Sequence, residues 1–293
     1  TDKNGFRENL DKYYRDVDFV VLGDSTVLSV CVNKPYDLLS LLRNNNKDKT
    51  FLNLGAQGSQ PITQLAYFDY YLKDTNFKKF IWVYTEANDY EPYNQKIEIL
   101  YKNLKNKEIE KKLKPIKNYG LSTVQKIKLL NEQDITEIDY KVYPENISFT
   151  EKFKIYLSES LMGIGTLAKY FKTYPELIHY KEYEKIIKLM KINLDKKKIK
   201  ERYIYYSPSY IYFGYKKLPN HPQFRQFLSL KLKVKKIAEE NGFIFIDGYE
   251  AFADSNKDVK KIFHYGLPTH FNEYGYSLTA KHISDSIVNK DNK

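Results

Sequence analysis

Phe19 to Val27 read "FVVLGDSTV". Four apolar residues run straight into Gly23-Asp24-Ser25-Thr26, so a strand with the look of a buried one ends with an acid and a hydroxyl side by side. Gly, Asp and Ser are ordinary turn residues, and the stretch alone fits a strand that stops in a polar turn. It equally fits a nucleophile loop, because open α/β sheets gather reactive groups just beyond the carboxyl ends of their strands. The surrounding chain decides between them.

"DFVVLG" at 18–23 is a first strand, and 36–44 is helical, with Leu38, Leu39, Leu41 and Leu42 as its apolar face. "TFLNLGAQG" at 50–58 is a strand entering a Gly-rich turn, Ile62 to Leu72 is a helix, and "KFIWVYTEAND" at 79–89 is an apolar run with a polar end. The pattern returns near the C-terminus, with "RYIYYSPS" at 202–209, a helix from His221 to Asn241, a strand ending at Asp247 and a final helix. Such alternation predicts a three-layer α/β/α sandwich around a mostly parallel sheet. Between about 95 and 200 the chain is Lys- and Tyr-rich, with helical segments at 97–113, 151–171 and 181–196 and no chemistry-bearing motif. This stretch reads as a helical insertion within a single domain spanning 1–293, and "DKKKIKER" at 195–202 as a solvated helix end.

The 293 residues suffice for a large core, and 42% hydrophobic with 29% charged residues marks a globular chain. No apolar run is long enough to span a bilayer. A single cysteine, Cys31, rules out an intrachain disulfide, and no Cys/His cluster of zinc type occurs. The net charge of +11 is compatible with nucleic acid, anionic lipid or acidic glycan as partner. No nucleic-acid motif accompanies the charge, so nucleic acid ranks last, behind a compositional bias toward Lys, Asn, Ile and Tyr.

Four short blocks follow the strands or precede the last helix. They are Gly23-Asp24-Ser25, Asn53-Leu54-Gly55-Ala56-Gln57-Gly58, Ala87-Asn88-Asp89 and His270-Phe271-Asn272-Glu273-Tyr274-Gly275. Ser25 is a weak nucleophile until a base takes its proton, and His270 is the candidate base because imidazole titrates near neutral pH. Gly58 lacks a Cβ, so its amide can come close to a substrate. Asp24 can organise its own turn, and Asp89 can support a loop or cap a helix. His264 is a rival base; His179, His221 and His282 fall outside the blocks and read as surface residues, and Tyr90 and Trp82 as packing.

In order, strand context and spacing, the four blocks resemble the SGNH (GDSL-type) hydrolase superfamily. The resemblance covers 18–90 and 202–290 and leaves the middle unexplained. It implies a catalytic Ser25 and His270, and an oxyanion hole built from the N–H groups of Ser25 and Gly58 and the side-chain amide of Asn88. Asp24, Asp89 and Thr269 would support them, and neither metal nor cofactor is implied. It also implies acyl-ester chemistry through an acyl-enzyme, as an esterase or an O-acetyltransferase.

The chain departs from the family where an Asp normally precedes the catalytic His by two or three residues. Here those positions hold Leu267 and Pro268. Neither side chain can accept the imidazole proton, so the expected substitute is a backbone carbonyl in the 263–269 loop or an acid from elsewhere, such as Asp254 or Asp258. The same departure leaves open a catalytically impaired carbohydrate-binding module. "DKNGFREN" resembles the lead-in of extracytoplasmic SGNH proteins that follow a membrane anchor, and "PTHFNEYGY" and "IYYSPS" resemble blocks of the alginate O-acetyltransferase-like branch. These resemblances imply an acylated carbohydrate or small ester as substrate, a membrane-bound acyl-donor protein as partner, and a place outside the cytoplasm.

Overall fold

The computed structural model describes residues 6–7, 14–86, 89, 180–209, 213, 222–253, 261–263 and 270–291. Among them the sheet has five parallel strands, β1 (Asp16–Gly23), β2 (Phe51–Gly55), β3 (Asn76–Thr85), β4 (Glu201–Ser207) and β5 (Ile244–Asp247), in the order β2-β1-β3-β4-β5. The helices are α1 (Ser25–Leu28), α2 (Leu38–Asn45), α3 (Pro61–Tyr71), α4 (Tyr180–Lys196), α5 (Pro222–Glu240) and α6 (Glu273–Asp291). All of these residues fall within the unit formed by Thr1–Ser122 and Leu177–Lys293.

The opening stretch explains the middle of the sheet. Val20, Val21 and Leu22 are fully buried, with β2 on one side of β1 and β3 on the other. Alternation of polar and apolar residues is absent because both faces of a parallel sheet are covered. Phe19 stacks on Phe51 of β2 with ring centroids 4.7 Å apart, consistent with their paired register. On β4, Tyr203, Tyr205 and Tyr206 are all fully buried, so these aromatic residues serve packing.

The chain moves from β1 outward to β2, crosses back past β1 to β3, and continues to β4 and β5. Right-handed crossovers then put the helices of the two directions on opposite faces. α2 packs with α6, whereas α4 packs with both α3 and α5, giving the three layers. The helix expected at 181–196 is therefore the β3-to-β4 crossover, with Ile186, Ile187, Met190 and Leu194 fully buried. The expected helices at 97–113 and 151–171 lie outside the described residues. The reversal of direction occurs between β1 and β3, and in open α/β sheets the crevice beyond the carboxyl ends of such strands is where ligands bind.

Candidate active site

The first turn after β1 is built by Asp24. Its Oδ1 accepts from the Thr26 N–H at 2.8 Å, an N-cap that starts α1 at Ser25. As the first residue of that helix, Ser25 has no intrahelical acceptor for its own N–H. The same Oδ1 accepts from the Thr85 hydroxyl at 2.9 Å, across from β3. Because the Thr85 proton goes to Asp24, the Thr26 hydroxyl is the donor in its 3.1 Å contact with Thr85. Asp89 closes the far side: its Oδ2 accepts from the Thr85 N–H at 2.7 Å, and its N–H donates to the Thr85 carbonyl at 2.9 Å. Both acids thus fasten the ends of β1 and β3 to each other and to the loops that follow.

The β2 block is tied to the same place. The Ala56 N–H and the Ser59 hydroxyl each donate to the Gly23 carbonyl at 3.1 Å. They hold an Ala56–Ser59 turn, closed by a 3.1 Å bond from the Ser59 N–H to the Ala56 carbonyl. Gly58 in that turn has φ +68°, and a Cβ added to it would meet nothing within 4 Å. Gly58 is thus required by its backbone conformation, and the space beside it is open. Gly55 answers a different demand: a Cβ there would lie 2.4 Å from the Leu28 nitrogen, so α1 packs backbone-close on the end of β2.

His270 arrives from the other end of the chain. Phe271 bridges Phe263, and the Asn272 N–H donates to the Ile262 carbonyl at 2.9 Å. Asn272 then caps α6, its Oδ1 accepting from the Gly275 N–H at 3.0 Å. Tyr276, in the first turns of α6, donates its hydroxyl to the Thr26 carbonyl at 3.0 Å and locks that helix onto α1. Through these contacts His270 Nε2 lies 3.3 Å from Ser25 Oγ, across 245 residues of sequence.

The other imidazole nitrogen meets a residue that the four blocks did not single out. Cys31 Sγ is 2.9 Å from His270 Nδ1. Among the described residues, the group that meets Nδ1 is this thiol; the carbonyls of 264–269 and the acids Asp254 and Asp258, expected in that role, lie outside the described residues. Burial pushes the Cys31 thiol up from its ordinary range, so it is protonated at neutral pH. The turn that carries it is held by Arg7, whose Nη1 donates to the carbonyls of Leu28 at 3.2 Å and Ser29 at 2.6 Å, and whose Nη2 donates to that of Val32 at 2.9 Å. Arg7 thereby caps the C-terminal carbonyls of α1 with a cation.

One further buried acid follows β3. Glu86, directly after β3, is fully buried and accepts from the Tyr206 hydroxyl at 2.9 Å, the Ser209 N–H at 2.9 Å and the Tyr249 hydroxyl. Burial pushes its carboxyl up to about 7 despite those three donors. Sequence reasoning missed Glu86, Arg7, Tyr276 and Cys31. None of the four stands in a short motif of its own.

Asn88, Thr269, His264, His179, His221, Tyr90, Leu267, Pro268, Asp254 and Asp258 lie outside the described residues. His282 is half-buried on α6, its Nε2 3.2 Å from the Asp247 carbonyl, so it joins that helix to the end of β5 instead of standing free on the surface. Trp82 is buried and donates to Gln64 Oε1, which is a packing role. Among the described residues, no group of three or more His, Cys, Asp or Glu side chains is placed to hold a metal ion. Among the same residues, no helix is long and apolar enough to cross a membrane.

No family model and no curated protein matches the chain. Among solved structures, it is similar to a G-D-S-L family protein from Desulfitobacterium hafniense DCB-2 at 10% identity and a TM-score of 0.45, over 92% of this chain and 98% of that one. A likeness so distant adds nothing about chemistry.

Proposed function

We propose that the protein performs serine-dependent acyl-ester chemistry. The observation that supports this most directly is the 3.3 Å approach of Ser25 Oγ to His270 Nε2 beyond the carboxyl end of β1. In this reading Oγ attacks the ester carbonyl while Nε2 takes the Oγ proton. The negative charge that develops on the carbonyl oxygen is met by the N–H groups of Ser25 and Gly58 and the side-chain amide of Asn88. Each such donor is typically worth about 3 kcal/mol of barrier. Collapse of the tetrahedral intermediate expels the alcohol, which leaves with the proton from His270, and the acyl group stays on Ser25. Water or a sugar hydroxyl then gives its proton to Nε2 and attacks the acyl carbon; the acyl–Oγ bond breaks as Nε2 returns that proton to Oγ, which frees Ser25 and neutral His270. Water makes the reaction a hydrolysis and a sugar hydroxyl makes it an O-acyl transfer.

An O-acylated glycan is the substrate class we favour. Its support is the resemblance of "PTHFNEYGY" to the polysaccharide O-acetyltransferase-like branch, together with Tyr36 and Tyr274, which are exposed in the segments that also carry Cys31 and His270. Aromatic faces of this kind stack on sugar rings. A membrane-bound acyl donor and a location outside the cytoplasm belong to the same proposal. p-Nitrophenyl acetate turnover tests the chemistry. It should be measurable in the wild type and fall to background in Ser25→Ala and His270→Ala. Turnover unchanged in Ser25→Ala would remove the enzymatic reading.

A further inference from the structure

We propose that Cys31 is a positioning residue for the catalytic imidazole: its Sγ lies 2.9 Å from His270 Nδ1, the nitrogen that must be held while Nε2 faces Ser25. The proposal rests on the roles given to Ser25 and His270 above.

A neutral imidazole carries one N–H. If the thiol donates to Nδ1, the ring proton sits on Nε2, and His270 cannot take a proton from Ser25. If Nδ1–H donates to sulfur, Nε2 presents its lone pair to the Ser25 hydroxyl. The second arrangement gives Nε2 the hydroxyl, a stronger donor than a thiol, and leaves sulfur, a weak acceptor, to the Nδ1–H. It is also the tautomer that general-base catalysis needs.

The sulfur is held by its backbone. Ser29 ends α1 in the left-handed region at φ 56°, and its Oγ accepts from the Leu38 N–H at 3.0 Å. Arg7 fixes three carbonyls of the same turn, on both sides of Cys31. Such anchoring suits a group whose task is orientation. A neutral thiol stabilises an imidazolium less than a carboxylate does, so the arrangement sets orientation at the cost of charge stabilisation. It follows that a carboxylate at position 31 should improve the base.

Turnover and histidine tautomer together test this. Cys31→Ala should lower kcat by at least about 10-fold with KM little changed, since the group acts on the proton transfer and not on ground-state binding. Cys31→Asp should restore kcat to the wild-type value or beyond. ¹⁵N spectra of histidine-labelled protein, with the His270 signals assigned through His270→Gln, should show Nδ1 protonated in the wild type and a mixture of tautomers in Cys31→Ala. Cys31 is the only cysteine, so methyl methanethiosulfonate modifies it alone. Modification should depress turnover and dithiothreitol should restore it, a readout that needs no folded variant. If Ser25→Ala abolishes turnover while Cys31→Ala and thiomethylation leave kcat and tautomer unchanged, the positioning role is wrong and the enzymatic reading stands. If turnover survives Ser25→Ala, the enzymatic reading falls and the positioning role falls with it.

Discussion

Gly55 and Gly58 stand in one short block but answer to different forces, and alanine separates them. At Gly58 the added methyl has open space and only the backbone objects, because φ +68° is disfavoured for a residue with a Cβ. Gly58→Ala is expected to lower stability by only about 1 kcal/mol. If its amide serves the oxyanion, the same change should lower kcat by more than this stability loss explains, because a shifted N–H no longer faces the developing charge. At Gly55 the methyl would collide with the backbone of α1 at Leu28. Gly55→Ala should therefore lower stability by about 2 kcal/mol or more through overpacking, and displace Ser25 together with α1. Urea unfolding midpoints and p-nitrophenyl acetate kinetics on the two variants check both outcomes. Equal stability losses would mean that the block is not divided in this way.

At the level of elements, the carboxyl ends of β3, β4 and β5 are drawn together by one buried acid. Glu86 follows β3, Tyr206 is on β4, Ser209 lies just beyond β4, and Tyr249 lies just beyond β5. The Glu86 pKa is raised from 4.5 to about 7, with burial as the main cause. A raised carboxyl pKa means that the folded state holds its proton more tightly than the unfolded chain does. The resulting stabilisation is fully present below pH 4.5 and is lost as pH rises through about 7. From the shift it amounts to roughly 3 kcal/mol. Glu86→Gln does not titrate, so its urea midpoint should lose the decline that the wild type shows over that interval. A wild-type midpoint that rises across the interval would contradict the raised pKa.

Over the whole molecule, the parallel sheet was legible because it follows from a repeated local signal. "FVVL", "FLNL" and "KFIWVYT" each end in polar residues, and covering both faces of a sheet demands such apolar runs. Ser25 and His270 could be named for the same reason: each stands in a short motif with its own chemistry. Cys31 and Arg7 have no local pattern. Their roles exist only because the αL turn at Ser29 and the docking of α6 bring a thiol, a guanidinium and an imidazole to one place. Long-range side-chain geometry of this kind leaves no period or spacing to read. The helix Tyr180–Lys196 shows the complementary limit: its amphipathic pattern revealed a helix, but its place as a crossover depends on the strands it joins.

The proposed chemistry requires Ser25 to become acylated. Intact-mass spectrometry after treatment with a p-nitrophenyl ester measures it directly, and a fluorophosphonate separately traps the same hydroxyl as a phosphonyl ester with loss of fluoride. Each reagent should give one covalent adduct, mapped by peptide sequencing to Ser25, absent in Ser25→Ala and formed much more slowly in His270→Ala. An adduct that persists in Ser25→Ala, or forms at the same rate without His270, would contradict it.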